Sequence, residues 1–421
     1  RAEEPGGKVR NIAYNQYGDV SSVTNDDGVG FSFSFDYDKG TREYYAFVRY
    51  PSGKAKEVWY DRKGYTRRVD INGVTIESVE VSGRRQWVTN ARGLITEQER
   101  DEWDNIIRIV HPDGSWETRV YRQPGNVLIE RNRNGIITTY EYNGFYERTA
   151  VNEAVGSGVA RRTEYTYTPA GLLASMTIKG TNGAADATTS YDYDLMGHLV
   201  RITDPEGRAT DFSDFHPAGN PRTIEDGRGK RRYLTYDNAG DLLTIADHSG
   251  AVIATYSYDE AGNRATATNA FNKTYTFGYD TENNLTTITD PLEQTAIREY
   301  AYLTQLAAVE DQEQQRTSYR YDLFERIQSI TDGTGATITY EYLAGDTCPS
   351  CSGGSDLIER IIFPTFIRSF TYDERGRLRS QTDTATGEQP RTTSFTYDIH
   401  GNRVSVTDPA GNTTSYNHDE R

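Results

Sequence analysis

Cys348-Pro349-Ser350-Cys351 holds both cysteines of the 421-residue chain. A Cys-x-x-Cys unit can close a local disulfide, supply half of a zinc site or cycle between thiol and disulfide. Zinc would need two more sulfur or imidazole ligands, and the sequence has no second cysteine pair and no paired-histidine motif. Redox cycling would need a thioredoxin-like βαβ setting, which the Gly/Ser/Thr-rich residues around the pair do not provide. A disulfide between Cys348 and Cys351, or two inert thiols, is the simplest reading. A metal site and redox chemistry stay open behind it.

The six histidines are scattered at positions 111, 198, 216, 248, 400 and 418, and His198, His216 and His400 fall in or beside turns, where exposed polar residues are ordinary. In a repetitive structure any residue can face a neighbour one turn away, so spacing nominates no Ser-His-Asp or paired-carboxylate arrangement. No catalytic, metal-ligating or cofactor-binding residue is assigned. Asn272, Asn284 and Asn412 open Asn-x-Thr triplets, which a Thr-rich chain produces by chance.

The chemistry the sequence repeats is that of turns. Tyr-Asp-x-x-Gly occurs at Tyr60-Asp61-Arg62-Lys63-Gly64, Tyr193-Asp194-Leu195-Met196-Gly197, Tyr236-Asp237-Asn238-Ala239-Gly240, Tyr258-Asp259-Glu260-Ala261-Gly262, Tyr372-Asp373-Glu374-Arg375-Gly376 and Tyr397-Asp398-Ile399-His400-Gly401. Degenerate copies lie at Tyr14, Tyr37, Tyr121, Tyr142, Tyr167, Phe215, Tyr279, Tyr302, Tyr321 and Tyr342. From Tyr193 to Tyr342 the steps are 22, 21, 22, 21, 23, 19 and 21 residues, one hairpin per repeat. Asp opening and Gly closing such a turn is the type I signature with a bulged hairpin, Gly supplying the positive φ. Asn283 replaces that Gly acceptably; Glu325 does not, which predicts an altered turn there.

Residues before each turn alternate, as in Thr274-Tyr275-Thr276-Phe277-Gly278-Tyr279, which places the rings on one face of a strand. A second strand follows and ends in a Pro/Gly turn such as Asp204-Pro205-Glu206-Gly207 or Asp408-Pro409-Ala410-Gly411. The tyrosines could stack on sugar rings, but their fixed place before every turn suits cross-strand packing better. Each Asp could serve a metal, yet an Asp that caps its own turn needs no further reason to be there.

Composition bounds the rest. Leu, Ile, Val and Phe together number 78 of 421, low enough to suggest disorder at a formal charge of −16, but 31 Tyr and 4 Trp in an ordered pattern point to a folded chain with a wet, aromatic interior. The acidic balance of 62 against 46 argues against nucleic-acid binding. No run approaches the roughly 18 apolar residues of a membrane span, the richest, Ile361 to Ile367, being broken by Pro364. No charged-then-apolar leader follows Arg1, and the chain stops inside a repeat, so it reads as part of a larger protein.

These units resemble the YD repeats of the Rhs family, found in bacterial polymorphic toxins, in the B and C components of insecticidal Tc complexes and in teneurins. The likeness is most specific from about Tyr167 onward; all four Trp (Trp59, Trp87, Trp103, Trp116) lie in the weaker first third. The organisation expected is one continuous solenoid, with divergent YD-like repeats over 1–166, regular repeats over 167–421, and a Cys-x-x-Cys insertion at about 343–371. The resemblance implies an all-β fold, a strip of antiparallel hairpins curling into a spiral shell segment. About 20 two-strand repeats at roughly 4.8 Å per strand give a ribbon near 190 Å wide, expected to wrap about once around a cylinder some 60 Å across.

By resemblance, the function expected is non-enzymatic: a shell segment that encloses and delivers a C-terminal toxin domain, exported from a bacterium and secreted or held at the cell surface. Its partners would be its own further shell segments and the cargo. Cys-x-x-Cys insertions in some bacterial members favour that branch. Many members cleave themselves at a Pro-x-x-x-x-Asp-Pro-x-Gly pattern; Asp408-Pro409-Ala410-Gly411 matches half of it, with Arg403 where the first Pro belongs, so an ordinary turn is expected. The rival function is an adhesion or carbohydrate-binding module, which would gather the four Trp into one exposed patch or bind a surface receptor.

Overall fold

The computed structural model describes residues 2–3, 9–122, 125–181, 183–343, 356–398 and 400–418; Cys348 and Cys351 lie outside them. Among the described residues 38 strands, from Ala2–Glu3 to Thr413–Ser415, form one antiparallel sheet with no helix. Each strand pairs with the strands before and after it in the chain, and the first and last do not pair with each other, so the sheet is an open strip. The all-β hairpin repeat expected from the Tyr-Asp spacing is the fold observed.

Turn chemistry sets the hairpins. In the Tyr193 copy the Asp194 N–H donates to the His198 carbonyl at 3.0 Å and the Gly197 N–H to the Asp194 carbonyl at 3.1 Å. Asp194 Oδ1 accepts from the N–H groups of Met196 and His198 at 2.9 Å each. Gly197 takes φ +86°, a conformation a side chain would strain. The same backbone pairing recurs at Asp61, Asp237, Asp259, Asp373 and Asp398. Asp408 is capped in the same way by the N–H groups of Ala410 and Asn412, as an ordinary turn should be.

Two expectations need correcting. Glu325 does not alter its turn: its N–H donates to the Asp322 carbonyl at 2.9 Å with φ +65°, so a non-Gly residue bears the left-handed conformation. The tyrosine in register after Tyr279 is Tyr300, not Tyr302, which sits in the turn itself with φ +60°. With Tyr300 in place both steps around it become 21 residues.

Just before nearly every such tyrosine the pairing slips by one residue, as between Asp192 and Tyr193, Thr235 and Tyr236, Ser257 and Tyr258, and Thr396 and Tyr397. A bulge bends its strand and increases its twist. Repeated once per hairpin, it curls the strip. The bulged tyrosine then reaches back: Tyr121, Tyr142, Tyr236 and Tyr321 donate their hydroxyls to the carbonyls of Ile106, Val127, Pro221 and Leu306, at 2.8 to 2.9 Å and 15 residues upstream. Tyr193, Tyr258, Tyr372 and Tyr397 do the same to Leu173, Leu242, Ile358 and Leu378. A hydroxyl at this position pins each hairpin to the one before, which is why the repeat keeps Tyr rather than Phe. Tyr60 forms no such bond, and Phe215 stacks on the His198 ring at 4.6 Å instead.

The two faces of the strip differ. One carries Tyr191 opposite Ile202, Phe277 opposite Ile288, Tyr319 opposite Ile330 and Phe395 opposite Val406. The other carries cross-strand hydroxyl pairs, Thr235 with Thr244, Ser257 with Thr266 and Thr331 with Thr337, together with ion pairs such as Arg201–Asp211. Among the described residues no large side chain is fully buried, and the buried apolar set is Ala91, Ala150, Val151, Ala246 and Ala308. Among the described residues no second layer covers either face. A single sheet wetted on both sides accounts for the scarcity of aliphatic residues.

Candidate functional site

The strip has two edges, one formed by the Tyr-Asp turns and the other by the return turns. Side chains on the return turns of the first third, and Arg10 in the strand Val9–Tyr14, meet Tyr-Asp turns of the last third. Arg10 donates twice to Glu282, at 3.1 and 2.7 Å, and Asn25 Nδ2 reaches the same carboxylate at 3.2 Å. Ser52 and Lys54 hold the Glu325 carboxylate at 2.6 and 3.0 Å. Asn72 Nδ2 donates to the Leu323 carbonyl at 2.7 Å, Arg92 to the Asp373 carbonyl at 3.0 Å, and Asn134 Nδ2 to the His400 carbonyl at 3.0 Å. Arg375 donates to the Asp113 carboxylate.

The partners of these bonds are 251 to 281 residues apart. Between the Asn25 and Glu282 turns lie 23 strands, and 23 again separate Asn72 from Leu323 and Asn134 from His400. With 25 strands between Ser52 and Glu325 and between Arg92 and Asp373, the strip closes on itself every 23 to 25 strands and winds somewhat more than one and a half turns. At about 4.8 Å per strand one turn is roughly 110 Å around, or about 35 Å across between backbones. This corrects the expected single wrap around a 60 Å cylinder: the strip's estimated width was sound, but the recurrent bulges curl it more tightly.

Local structure positions each seam residue. Asn72-Gly73 is a two-residue hairpin turn with φ +53° and +79°; Asn72 Oδ1 accepts from Ala55 N–H at 2.7 Å, leaving the amide nitrogen free to reach Leu323. Asp113 sits in a return turn and also accepts from Ser115 and Arg133. Partial burial pushes its carboxyl up, but hydrogen bonds from Ser115, Arg375 and Arg133 outweigh this and hold it well below the usual carboxylate range. Glu282 is 8% exposed and Arg10 20%, so their pairing is screened less than a surface ion pair. Glu325 shows why Gly is absent from its turn: the residue there must carry a carboxylate to Ser52 and Lys54.

The RHS Repeat family matches residues 236–274, 258–295 and 372–413, stretches that contain the Tyr236, Tyr258, Tyr372 and Tyr397 hairpins and three of the seam's Tyr-Asp turns. The chain contains RHS repeats. Over half of its length this RHS chain is 25% identical to the tRNA3(Ser)-specific nuclease WapA of Bacillus spizizenii and 24% identical to Teneurin-1 of Gallus gallus, matching 8% and 7% of those proteins. The crystal structure of TcdB2-TccC3-TEV resembles it over 96% of this chain and 23% of that one, with a TM-score of 0.57 at 14% identity. That of TcdB2-TccC3-Cdc42 does so over 98% and 25%, with a TM-score of 0.56 at 14% identity. These last likenesses are of fold. The RHS chain spans under a tenth of the curated relatives and about a quarter of the structural ones.

Within this RHS strip, the residues that sequence singled out fall into turns and hairpin anchors. His111 pairs with Glu117 at 2.9 Å and His198 with Asp194 at 2.9 Å, the latter holding the Asp194 carboxyl below its ordinary range. His216 corrects the expectation of exposed turn histidines: it is buried, takes the place of the turn Asp, and accepts from the Ala218 N–H through Nδ1. His418 stands where the repeat has Tyr, its Nε2 reaching the Arg403 carbonyl 15 residues upstream at 2.9 Å. The four Trp neither cluster nor vanish from the surface. Trp103 and Trp116 are exposed on different hairpins, with the Arg131 guanidinium over the Trp116 ring, while Trp59 is half-buried against Tyr45 and Arg68. Among the described residues no group of three or more His, Cys, Asp and Glu is arranged to hold a metal, and no helix is long and apolar enough to cross a membrane.

The seam itself was not legible in sequence. Its only trace is a charged or amide residue in turns that need none, Glu325 above all.

Proposed function

We propose that this RHS strip is a wall segment of a hollow shell that encloses and delivers a C-terminal toxin, and that it acts as structure rather than as an enzyme. The observation that carries this reading is the seam: successive turns of a single-layer, solvent-wetted strip lock edge to edge, which makes a continuous wall around a space instead of a packed core. The nuclease activity in the name of WapA belongs to a protein of which this chain matches 8%, consistent with the RHS stretch serving as carrier for chemistry located elsewhere. In this reading the chain is one continuous solenoid of a bacterial protein that is secreted or held at the cell surface, and its partners are further shell segments and the enclosed cargo. The turn Asp and Gly residues and the Tyr anchors serve the wall. Glycan or receptor binding is less well supported, since the exposed Trp103 and Trp116 lie on separate hairpins.

Fusing an unstructured, protease-cleavable reporter after Arg421 tests this. The wall reading predicts cleavage at least about tenfold slower than in the free reporter, with the protection lost when the seam is opened by Arg375→Glu. Equal cleavage of fused and free reporter would contradict enclosure.

A further inference from the structure

Along the seam, the Tyr-Asp turns at Asp280, Asp322, Asp373 and Asp398 each take part in a hydrogen bond with the other winding. Among the described residues the turn at 301–305, between the first two, makes no hydrogen bond or ion pair across the seam. It is also built differently. Ala301 stands where the repeat has Asp and pairs with Gln305, and the left-handed residue is Tyr302, two places after the Tyr300 anchor, whereas Gly197 and Glu325 lie four places after theirs.

A recess of about 780 Å³ lies where the contact of this turn would be. Phe31, Tyr50 and Pro51 wall it on one winding, and Tyr302, Leu303 and Leu306 on the next. The Phe31 ring stands edge-on to Tyr50 at 5.4 Å, so the two brace each other. The charged groups that also line it are already matched: Arg10 pairs with Glu282, and Ser52 and Lys54 hold Glu325. An ionic ligand would have to break one of these partly buried pairs, which is costly. Among the described residues the side chains of Thr304 and Gln305, on the same lining, make no hydrogen bond and can meet a polar substituent. The size, the apolar walls and the few polar groups are those of a small-molecule site.

We propose that this recess binds a neutral, planar aromatic molecule, its rings packed between Phe31 and Tyr50 on one winding and Tyr302 and Leu303 on the other. The ligand takes the place of the bond the 301–305 turn does not make. Because both windings hold it, it binds the docked strip better than an unrolled one, and occupancy tightens the seam. Tyr302 bears a left-handed backbone that strains a bulky residue, and its ring, 54% exposed, is placed to cover the ligand. This goes beyond the enclosure of cargo and does not depend on it.

Fluorescence titration of the purified chain with Nile red, a neutral planar dye, tests the proposal, with anilinonaphthalene sulfonate as an anionic counterpart and two variants, Phe31→Ser and Leu303→Asp, one on each wall. Unchanged circular dichroism and melting temperature would show that the variants fold. Nile red should saturate at one site per chain, bind at least about tenfold more tightly than the anionic dye, and lose at least about tenfold in affinity in each variant. Hydrogen exchange of the unaltered chain, saturated with Nile red, should slow at 50–53 and at 301–306 together, a readout that needs no substitution. No saturable binding, equal affinity for the two dyes, binding that both variants leave unchanged, or protection confined to one winding would overturn it.

Discussion

Arg375, in a Tyr-Asp turn of the last third, donates to the carboxylate of Asp113, in a return turn 262 residues earlier and one full winding away. Both side chains are largely buried, at 13% and 16% exposure. This pair and its neighbours along the seam convert a ribbon of local hairpins into a closed wall. Replacing Arg375 with Ala should destabilise the fold by about 1 to 3 kcal/mol, because a charge-assisted bond is lost at a partly buried carboxylate. The Asp113→Arg/Arg375→Asp double variant should recover part of the loss. Urea melts of the two single variants and the exchange, arranged as a double-mutant cycle, check this; a coupling energy of zero would show that the two residues act independently.

Acid should loosen the same contact. The Asp113 carboxyl is depressed in the folded protein, so its stabilisation is fully present above the unfolded value near 4 and is lost as pH falls toward the lower folded value. Asp373 shifts in the same direction: partial burial raises it, but hydrogen bonds from Arg377 prevail. Melting temperature should be flat from about pH 8 to pH 5 and fall below about pH 4. In Asp113→Asn the acid limb should be shallower. A variant whose pH profile parallels the wild type would remove Asp113 from the account.

Glu325 holds a strained backbone in exchange for a contact across the seam. Glu325→Gly relieves a left-handed conformation worth roughly 1 kcal/mol while releasing Ser52 and Lys54. Hydrogen exchange should therefore show the 322–325 turn as protected as before and the 50–54 turn less protected. Loss of protection at 322–325 alone would mean the side chain serves its own turn.

The tyrosine anchors make a graded prediction. Tyr321→Phe removes the hydroxyl that reaches the Leu306 carbonyl and should cost about 1 kcal/mol. Burial pushes the Tyr321 phenol up, so the hydroxyl remains a donor through neutral pH and the loss should be independent of pH there. An unchanged chemical-denaturation midpoint would reduce the anchor to ring packing.

Gly262, at φ +82° with open space around its α-carbon, isolates the turn conformation from packing. Gly262→Val should destabilise its hairpin by roughly 1 to 2 kcal/mol, and Gly262→Asn by less. Equal melts for the two variants would contradict the turn assignment.

What sequence made legible is what the chain decides locally. Asp194 and Gly197 specify their turn within five residues, and Phe277 and Tyr279 specify their face by alternation, so hairpins, period and fold class could be read directly. Tyr302 misled because a tyrosine two residues past the true anchor, Tyr300, satisfies the same spacing. The seam was invisible because the partner of Asp113 depends on the bend added by each of 23 strands, and a small change in curvature per hairpin would bring a different turn opposite it. Glu325 was noticed as a departure, but its reason lies 273 residues away in Ser52.

The most direct test of the closed winding is a distance between the 25–28 and 280–283 turns. With Cys348 and Cys351 replaced by Ser, nitroxide labels at Asp27→Cys and Thr281→Cys can be read by double electron–electron resonance. Docked turns predict one narrow distribution at about 20 Å, whereas an unrolled strip with 23 intervening strands would separate the labels by roughly 110 Å, and a cylinder 60 Å across would leave them far beyond contact. A single short distance establishes the seam; a long or broad one would contradict it.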